Sequence, residues 1–141
     1  FNIHSLTVGP SHEPGLSRMT IVVAAPELEQ VKKQLHKLVN VVKISELEKG
    51  QSIEREILLV RVNAQPARRQ ELLSLASIFG ATAVDVGPNS IAFQVVGKPE
   101  KINDFLDLVR PYGVVDLAKS GWVAIARETK GRGAVTLRAV N

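Results

Sequence analysis

The sequence predicts an α+β protein of two related units, each an antiparallel sheet with helices on one face. Three observations predict this fold class. A strand–turn–strand–helix–strand pattern occurs twice, in residues 1–47 and within residues 53–127. Only the second copy is preceded by a further strand and helix. Aromatic residues make up 4% of the chain, which indicates aliphatic cores. Repetition of one small unit is more typical of a regulatory or binding module than of an enzyme.

The first unit begins with two predicted strands. Residues 2–8 are rich in β-branched residues and are followed by Gly9-Pro10, which is typical of a strand that ends in a turn. The loop over residues 10–15 cannot be helical, because it contains two prolines. Residues 19–23 are then predicted to form the second strand.

A helix is predicted after Pro26, because the first helical turn tolerates proline. Its apolar residues recur at helical spacing: Leu28, Val31, Leu35 and Leu38. We expect the helix to end at Asn40 and a strand to follow within residues 41–47. Residues 48–52 are polar and are predicted to form a linker.

The second unit opens with residues 57–62, which are apolar on both faces and are predicted to form a central strand. Residues 67–79 follow as a helix that Gly80 ends. A strand, a turn, a strand, a helix and a strand are then predicted at residues 83–86, 87–90, 91–96, 100–109 and 114–117. Trp122 opens a further apolar strand that reaches residue 126. We expect its ring in a core, with contact to a partner protein as the alternative.

The order β-α-β-β-α-β over residues 53–119 is the ferredoxin-like arrangement. In this topology the opening strand lies inside the sheet, between the two closing strands. A first unit without that strand would have unpaired main-chain groups in the middle of its sheet. We therefore expect a preceding strand and helix in the native protein, with a partner strand in the gap as the alternative.

The charge distribution argues against a nucleic-acid-binding protein. Four cationic residues and one glutamate give the last fifteen residues a net charge of +3, which leaves +1 of the total +4 for the rest. Residues 128–141 are therefore predicted to be a flexible basic tail, without the aromatic residues on which bases would stack. No apolar run is long enough to predict a membrane span. The absence of cysteine excludes disulfides and thiolate sites.

The sequence indicates no catalytic residue and no metal ligand set. His4, His12 and His36 fall in a strand, a loop and a helix, without the spacing of a metal site. No Gly-x-Ser-x-Gly elbow is present for a hydrolase nucleophile. Glu54 and Glu56 share one strand face, where an acid/base pair is one interpretation and a solvated strand edge is the favoured one.

Several blocks of sequence resemble one known family. FNIHSLTV at residues 1–8, followed by PGLSRMTI at residues 14–21, is similar to the small regulatory subunit of acetolactate (acetohydroxyacid) synthase. Further similar blocks follow in the same order, at residues 30–41, 54–60, 84–86 and 118–121. The resemblance covers about residues 1–127. It departs at the start, where the family has a strand and an Asn/Gly-containing loop that opens a helix.

The resemblance implies a regulatory protein with an N-terminal ACT domain. Residues 1–47 would be part of that domain, residues 48–52 a linker and residues 53–127 a second ferredoxin-like domain. ACT domains pair side by side, so a homodimer is implied, with an effector amino acid at its interface. The family activates a separate catalytic subunit and confers feedback inhibition by valine in branched-chain amino-acid biosynthesis. That catalytic partner, and not this chain, would bind thiamine diphosphate, FAD and Mg.

The resemblance places effector binding at Asn2 and Ile3. The side-chain amide of Asn2 can donate to a carboxylate and accept from an ammonium group. Ile3 would offer main-chain groups to the same zwitterion. The alternative functions are another amino-acid-sensing ACT protein, such as a regulator of transcription, and a small ferredoxin-like enzyme such as an isomerase. We expect a cytoplasmic protein, or a plastid protein if the source is a plant or alga.

Overall fold

The computed structural model describes residues 2–128 and the backbone of residues 138–140. Its contacts divide the chain into two compact units. The first unit consists of residues 1–54 and 121–141, and the second unit of residues 55–120. The strand predicted near residues 122–126 is therefore grouped with the first unit, although the sequence places it at the end of the stretch 53–127.

The predicted fold class, α+β with antiparallel sheets, is confirmed. The strands are β1 (Ile3–Pro10), β2 (Leu16–Val23), β3 (Val41–Lys43), β4 (Ser52–Asn63), β5 (Thr82–Val86), β6 (Ser90–Gly97), β7 (Val114–Lys119), β8 (Val123–Ala126) and β9 (Arg138–Val140). The α-helices are α1 (Ala25–His36), α2 (Arg69–Ile78) and α3 (Pro99–Val109). Short 3-10 turns occupy Pro66–Arg68 and Arg110–Tyr112.

The first unit begins with a hairpin of β1 and β2, in which Leu6 pairs with Ile21 and Pro10 with Ser17. β1 extends through Gly9 and Pro10, two residues past the predicted stop. Proline is tolerated there because β1 is an edge strand, whose outer side needs no N–H for a ladder.

The strand order of the first sheet is β1-β2-β9-β3. β9 lies between β2 and β3 in the sheet, antiparallel to both, and pairs with residues Leu16, Ser17 and Arg18 of β2. This is the central strand position, for which the sequence of the first unit predicts no strand. Residues 138–140 of the same chain occupy it, so the prediction of a flexible tail is wrong for these three residues. Residues 129–137 and 141 of that predicted tail lie outside the described residues.

Two predicted elements of the first unit are shorter than expected. α1 ends at His36, and the next turn tightens as the N–H of Leu38 donates to the carbonyl of Leu35 at 3.0 Å. Leu38 is consequently 55% exposed rather than packed inward. β3 ends at Lys43, so Leu47, which the sequence predicts to belong to the strand within residues 41–47, lies outside the observed strand.

The second unit has the predicted βαββαβ order, and its strands lie in the order β5-β6-β4-β7. β4 pairs with β6 on one side and β7 on the other, which confirms its central position. Its side chains alternate: Leu58 and Val60 are buried, whereas Ile57 and Leu59 are 44% and 46% exposed. β4 is therefore central by lateral pairing, and it is buried on one face only.

The core of the second unit lies between this sheet and its helices. Its buried residues are Leu58, Val60, Val62, Ala64, Leu72, Ala76, Ile91, Phe93, Val95, Ile102, Phe105, Leu106 and Val109. Phe105 of α3 makes an edge-on contact with Phe93 of β6 at a ring distance of 6.0 Å, and a tilted contact with Phe79 at 5.5 Å. Such ring contacts stabilise the core beyond the effect of the apolar area that each ring buries.

Candidate functional site

Asn2 and Ile3 lie together at the start of β1. Asn2 is exposed, and its main-chain N–H donates to Oε2 of Glu27 at 3.1 Å. Glu27 lies in the first turn of α1, where a carboxylate also interacts favourably with the helix dipole. Ile3 pairs with Val23 and is 48% exposed. The backbone before β1 is thus held to α1, while the Asn2 side chain faces solvent.

The strand is irregular directly after Ile3. The pairing register shifts between Ile3 and Ser5, so that Ser5 pairs with Val22, and His4 is the extra residue. Bulges of this kind redirect side chains and are common near binding sites. Here the irregularity separates the end that carries Asn2 from the regular part of β1.

β1 is the edge strand of the first sheet. Within the part of the chain that the structure describes, its ladder partner is β2 alone. Two apolar side chains of β1 are well exposed, Leu6 at 51% and Val8 at 59%. An edge of this kind, with free main-chain groups and apolar side chains, is a template for pairing with a second chain.

The alternate side chains of β1 hold the segment Gly121-Trp122. The N–H of Trp122 donates to Oγ of Ser5 at 2.7 Å, and Oγ1 of Thr7 donates to the carbonyl of Trp122 at 2.8 Å. Gly121 has φ +84°, and a Cβ there would lie 2.7 Å from Cγ2 of Thr7. Only glycine fits this position without strain. Trp122 is half-buried.

These contacts were not predicted from the sequence. Ser5 and Thr7 appear as ordinary polar residues of an alternating strand, and Gly121 lies 114 positions from Thr7 along the chain. The one available signal was the alternation of β1, in which small polar residues occupy one face and apolar residues the other.

The titratable residues weighed for catalysis lie apart. His4, His12 and His36 are exposed. Among the described residues, no group of three or more His, Asp or Glu side chains could hold a metal ion. Glu56 is 5% exposed, so the interpretation of a solvated edge is wrong for it, because it faces the helix side of β4 together with Leu58.

A charged cluster lies on the surface of the second unit. The hydroxyl of Tyr112 donates to Glu71, and the guanidinium of Arg68 lies 4.1 Å from the centre of the Tyr112 ring. The hydrogen bond from Tyr112 lowers the pKa of Glu71, and the same bond raises the pKa of Tyr112. The cluster joins α2 to the turn that follows α3.

No helix among the described residues is both long enough and apolar enough to span a membrane.

Comparisons with known proteins identify the family. The model of the "AHAS small subunit-like ACT domain" matches residues 1–43, and the model of the "Small subunit of acetolactate synthase" matches residues 55–128. A probable acetolactate synthase small subunit of Archaeoglobus fulgidus is 47% identical over 132 residues, which are 92% of this chain and 82% of that protein. The acetolactate synthase small subunit of Mycolicibacterium smegmatis is 42% identical over 136 residues, 95% of this chain and 80% of that protein.

A solved structure agrees with these matches. The crystal structure of the acetolactate synthase small subunit from Thermotoga maritima superimposes with a TM-score of 0.80 at 34% identity, and the match covers 92% of this chain and 83% of that chain. The family models together span both units. The chain therefore belongs to the acetolactate synthase small-subunit family.

Proposed function

We propose that this chain activates an acetolactate synthase catalytic subunit and makes it sensitive to valine. Membership of the small-subunit family supports the regulatory role. The observation that carries the proposal is the exposed edge of β1, with Asn2 and Ile3 at one end. The chemistry would belong to the catalytic partner, which would also hold thiamine diphosphate, FAD and Mg.

In this proposal two copies of the chain pair along their β1 edges. Each copy offers main-chain donors and acceptors and the apolar side chains of Leu6 and Val8, which are 51% and 59% exposed. Strand addition of this kind supplies affinity through main-chain hydrogen bonds and specificity through alternate side chains. The homodimer places the Asn2 end of each edge strand at the interface.

Valine binds at that interface with help from Asn2. The side-chain amide of Asn2 donates to the valine carboxylate or accepts from its ammonium group, and main-chain groups of Ile3 bind the same zwitterion. The hydrogen bond between Asn2 N–H and Glu27, at 3.1 Å, holds this backbone in place before the ligand arrives. Preorganisation of this kind lowers the entropic cost of binding.

Regulation requires that valine prefer one of two dimer states. A ligand shifts such an equilibrium only through its difference in affinity for the two states. A valine molecule that contacts both copies meets this condition, because its contacts change whenever the two β1 edges move relative to each other.

The test is acetolactate formation by the catalytic subunit of the same source, measured alone, with this chain, and with this chain and L-valine. We expect the chain to raise the rate and valine to lower it again. Asn2→Ala should raise the valine concentration for half-inhibition roughly tenfold or more, the cost of losing a hydrogen bond to a charged group. The matched control is Asn40→Ala, an exposed asparagine of the same unit.

A catalytic subunit that does not respond to the chain would refute the regulatory role. Stimulation without any valine effect would refute the valine part of the proposal alone. An equal valine response in Asn2→Ala and Asn40→Ala would refute the role of Asn2.

A further inference from the structure

One turn of the first unit exposes three apolar side chains close together. The N–H of Val41 donates to the carbonyl of Leu38 at 3.2 Å, which closes a tight turn between α1 and β3 with Val39 at its corner. Leu38 is 55% exposed, Val39 96% and Val42 60%. Single exposed apolar side chains are common on soluble proteins, whereas a contiguous group typically marks a contact with another molecule.

The fold of the unit does not account for valine at this corner. Tight turns are formed mainly by Gly, Pro, Asn, Asp and Ser, because these residues suit the backbone conformation or bond to it. Valine offers neither advantage. Among the described residues, Val39 is also the most exposed large apolar side chain, so it buries almost nothing within the chain.

The charges around the turn are all of one sign. Residues 33–45 contain three lysines, Lys33, Lys37 and Lys43, and no acidic residue. All three are exposed, and none forms an ion pair with a described residue. The helix dipole accounts for Lys33 in the last turn of α1, but it does not account for Lys43 in β3. We call these lysines and the three exposed apolar residues the turn surface.

The turn surface lies far from the edge that the proposed homodimer uses. In the strand order β1-β2-β9-β3, the strand that carries Val42 is at the opposite end of the sheet from β1. Three strand spacings of about 4.8 Å separate the two edges by roughly 14 Å. Two copies that pair along β1 would therefore leave both of their turn surfaces uncovered.

The charge of the turn surface decides between possible occupants. A second copy that used the same surface would bring the lysines of one copy against those of the other, and like charges oppose such a contact. An acidic protein surface with an apolar recess would match both the lysines and the apolar side chains. The proposed function requires one protein partner of this chain, the catalytic subunit.

We propose that the turn surface is where this chain docks on the catalytic subunit. Its apolar side chains enter an apolar recess of that subunit, and its lysines face an acidic rim around the recess. Apolar groups at the centre of such a contact supply most of the affinity, whereas rim charges mainly speed association. The inference rests on the proposed function, to which it adds the docking surface and the chemistry of the surface that receives it.

Val39→Asp tests the apolar part of the contact. The measurement is the concentration of the full chain that gives half-maximal stimulation of acetolactate formation by the catalytic subunit of the same source. We expect it to rise at least about tenfold, as for an apolar residue at the centre of an interface. Ile78→Asp is the matched control, because Ile78 is another strongly exposed apolar residue, at 76%, and lies in the second unit. Far-ultraviolet circular dichroism establishes that both variants are folded.

Lys37→Glu tests the charged rim. Surface plasmon resonance on the immobilised catalytic subunit gives the association and dissociation rates separately. We expect Lys37→Glu to slow association roughly threefold or more, and to reduce its dependence on salt between about 0.05 and 0.5 M, because salt screens exposed charges. Val39→Asp should mainly speed dissociation. Lys98→Glu, at an exposed lysine of the second unit, should change neither rate.

Stimulation by Val39→Asp at the parent concentration would overturn the inference and leave the proposed function intact. A parent chain that does not stimulate the catalytic subunit would refute both. Two further results would assign the turn surface to another occupant and so overturn the inference. One is a Val39→Asp chain that sediments as a monomer while the parent is a dimer. The other is parent binding to phosphatidylglycerol vesicles that Val39→Asp abolishes.

Discussion

The main-chain N–H of Trp122 donates to Oγ of Ser5 at 2.7 Å, although 117 positions separate the two residues. The hydroxyl of Thr7 completes the contact by donating to the carbonyl of Trp122 at 2.8 Å. Both polar groups of one residue are therefore satisfied by one face of β1. Among the described residues, β2 is the only strand that pairs with β1. On the opposite face of β1, Leu6 and Val8 are 51% and 59% exposed.

Gly121 is essential to this contact, so Gly121→Ala should destabilise the first unit. The residue has φ +84°, and an added Cβ would lie 2.7 Å from Cγ2 of Thr7. We expect a loss of about 1–3 kcal/mol in the free energy of unfolding, as for other strained backbone positions. Urea unfolding followed by Trp122 fluorescence measures it. Gly9→Ala is the control, because nothing lies within 4 Å of its added Cβ. Equal effects of the two substitutions would contradict the packing described here.

Leu6→Lys should weaken dimerisation. Leu6 is 51% exposed on the edge strand, so the substitution leaves the folded unit intact. Paired edges would bring two lysines together, and edge lysines oppose strand pairing. We expect dimerisation at least about tenfold weaker, or ~1.4 kcal/mol. Sedimentation equilibrium measures this change. Val39→Lys, at a turn residue that is 96% exposed, should leave the dimer unchanged. A monomeric parent chain, or an unaffected Leu6→Lys dimer, would refute pairing through β1.

Phe105→Ala should strongly destabilise the second unit. The ring is fully buried and contacts Phe93 and Phe79 at ring distances of 6.0 and 5.5 Å. Removal of a buried phenyl ring leaves a cavity and costs about 3–5 kcal/mol. Denaturant unfolding followed by far-ultraviolet circular dichroism measures the loss. Ile78→Ala, at a helix residue that is 76% exposed, should change the stability by less than about 0.5 kcal/mol. A similar loss in both variants would show that Phe105 is not a core residue.

Tyr112 should titrate above its ordinary pKa of 10.0, because its hydroxyl donates to the Glu71 carboxylate. Glu71→Gln removes that charge and should bring the pKa of Tyr112 back toward the ordinary value. Ultraviolet absorbance during alkaline titration measures this directly, since Tyr112 is the only tyrosine. Glu100→Gln, an exposed glutamate of the same unit, is the control. An unchanged tyrosine titration in Glu71→Gln would contradict the hydrogen bond.

The same bond predicts a pH dependence of stability. A raised pKa means that folded Tyr112 holds its proton more tightly. The contribution of Tyr112 to the free energy of unfolding is therefore fully present below the pKa that Tyr112 has in the unfolded chain. It is lost as the pH rises through the pKa of Tyr112 in the folded protein. The lowered pKa of Glu71 affects stability in the acid range. The contribution of Glu71 to the free energy of unfolding is present above its pKa in the unfolded chain and is lost as the pH falls through its pKa in the folded protein.

Sequence periodicity predicted the second unit well, because each element carries a local signal. The apolar run in β4 and the helical spacing in α3 are visible over a few residues. The same signals were less accurate in the first unit. Leu38 and Leu47 fit helix and strand patterns, yet α1 ends at His36 and β3 at Lys43. A local pattern predicts the type of an element better than its end, since the end depends on tertiary contacts.

For the candidate sites, the sequence indicated Asn2 and Ile3 through resemblance alone. It did not indicate the contact of Ser5 and Thr7 with Trp122, because these residues are separated from Trp122 by 117 and 115 positions.

The sequence by itself determined the βαββαβ order of the second unit, a largely aliphatic core and the family, because these depend on residue type and local spacing. Tertiary structure alone decided that residues 138–140 lie between β2 and β3, and that Ser5 and Thr7 hold Trp122. Main-chain pairing leaves little trace in side-chain identity, since every residue except proline carries the same donor and acceptor. Which strand occupies a given position in the sheet is therefore decided by the folded chain as a whole.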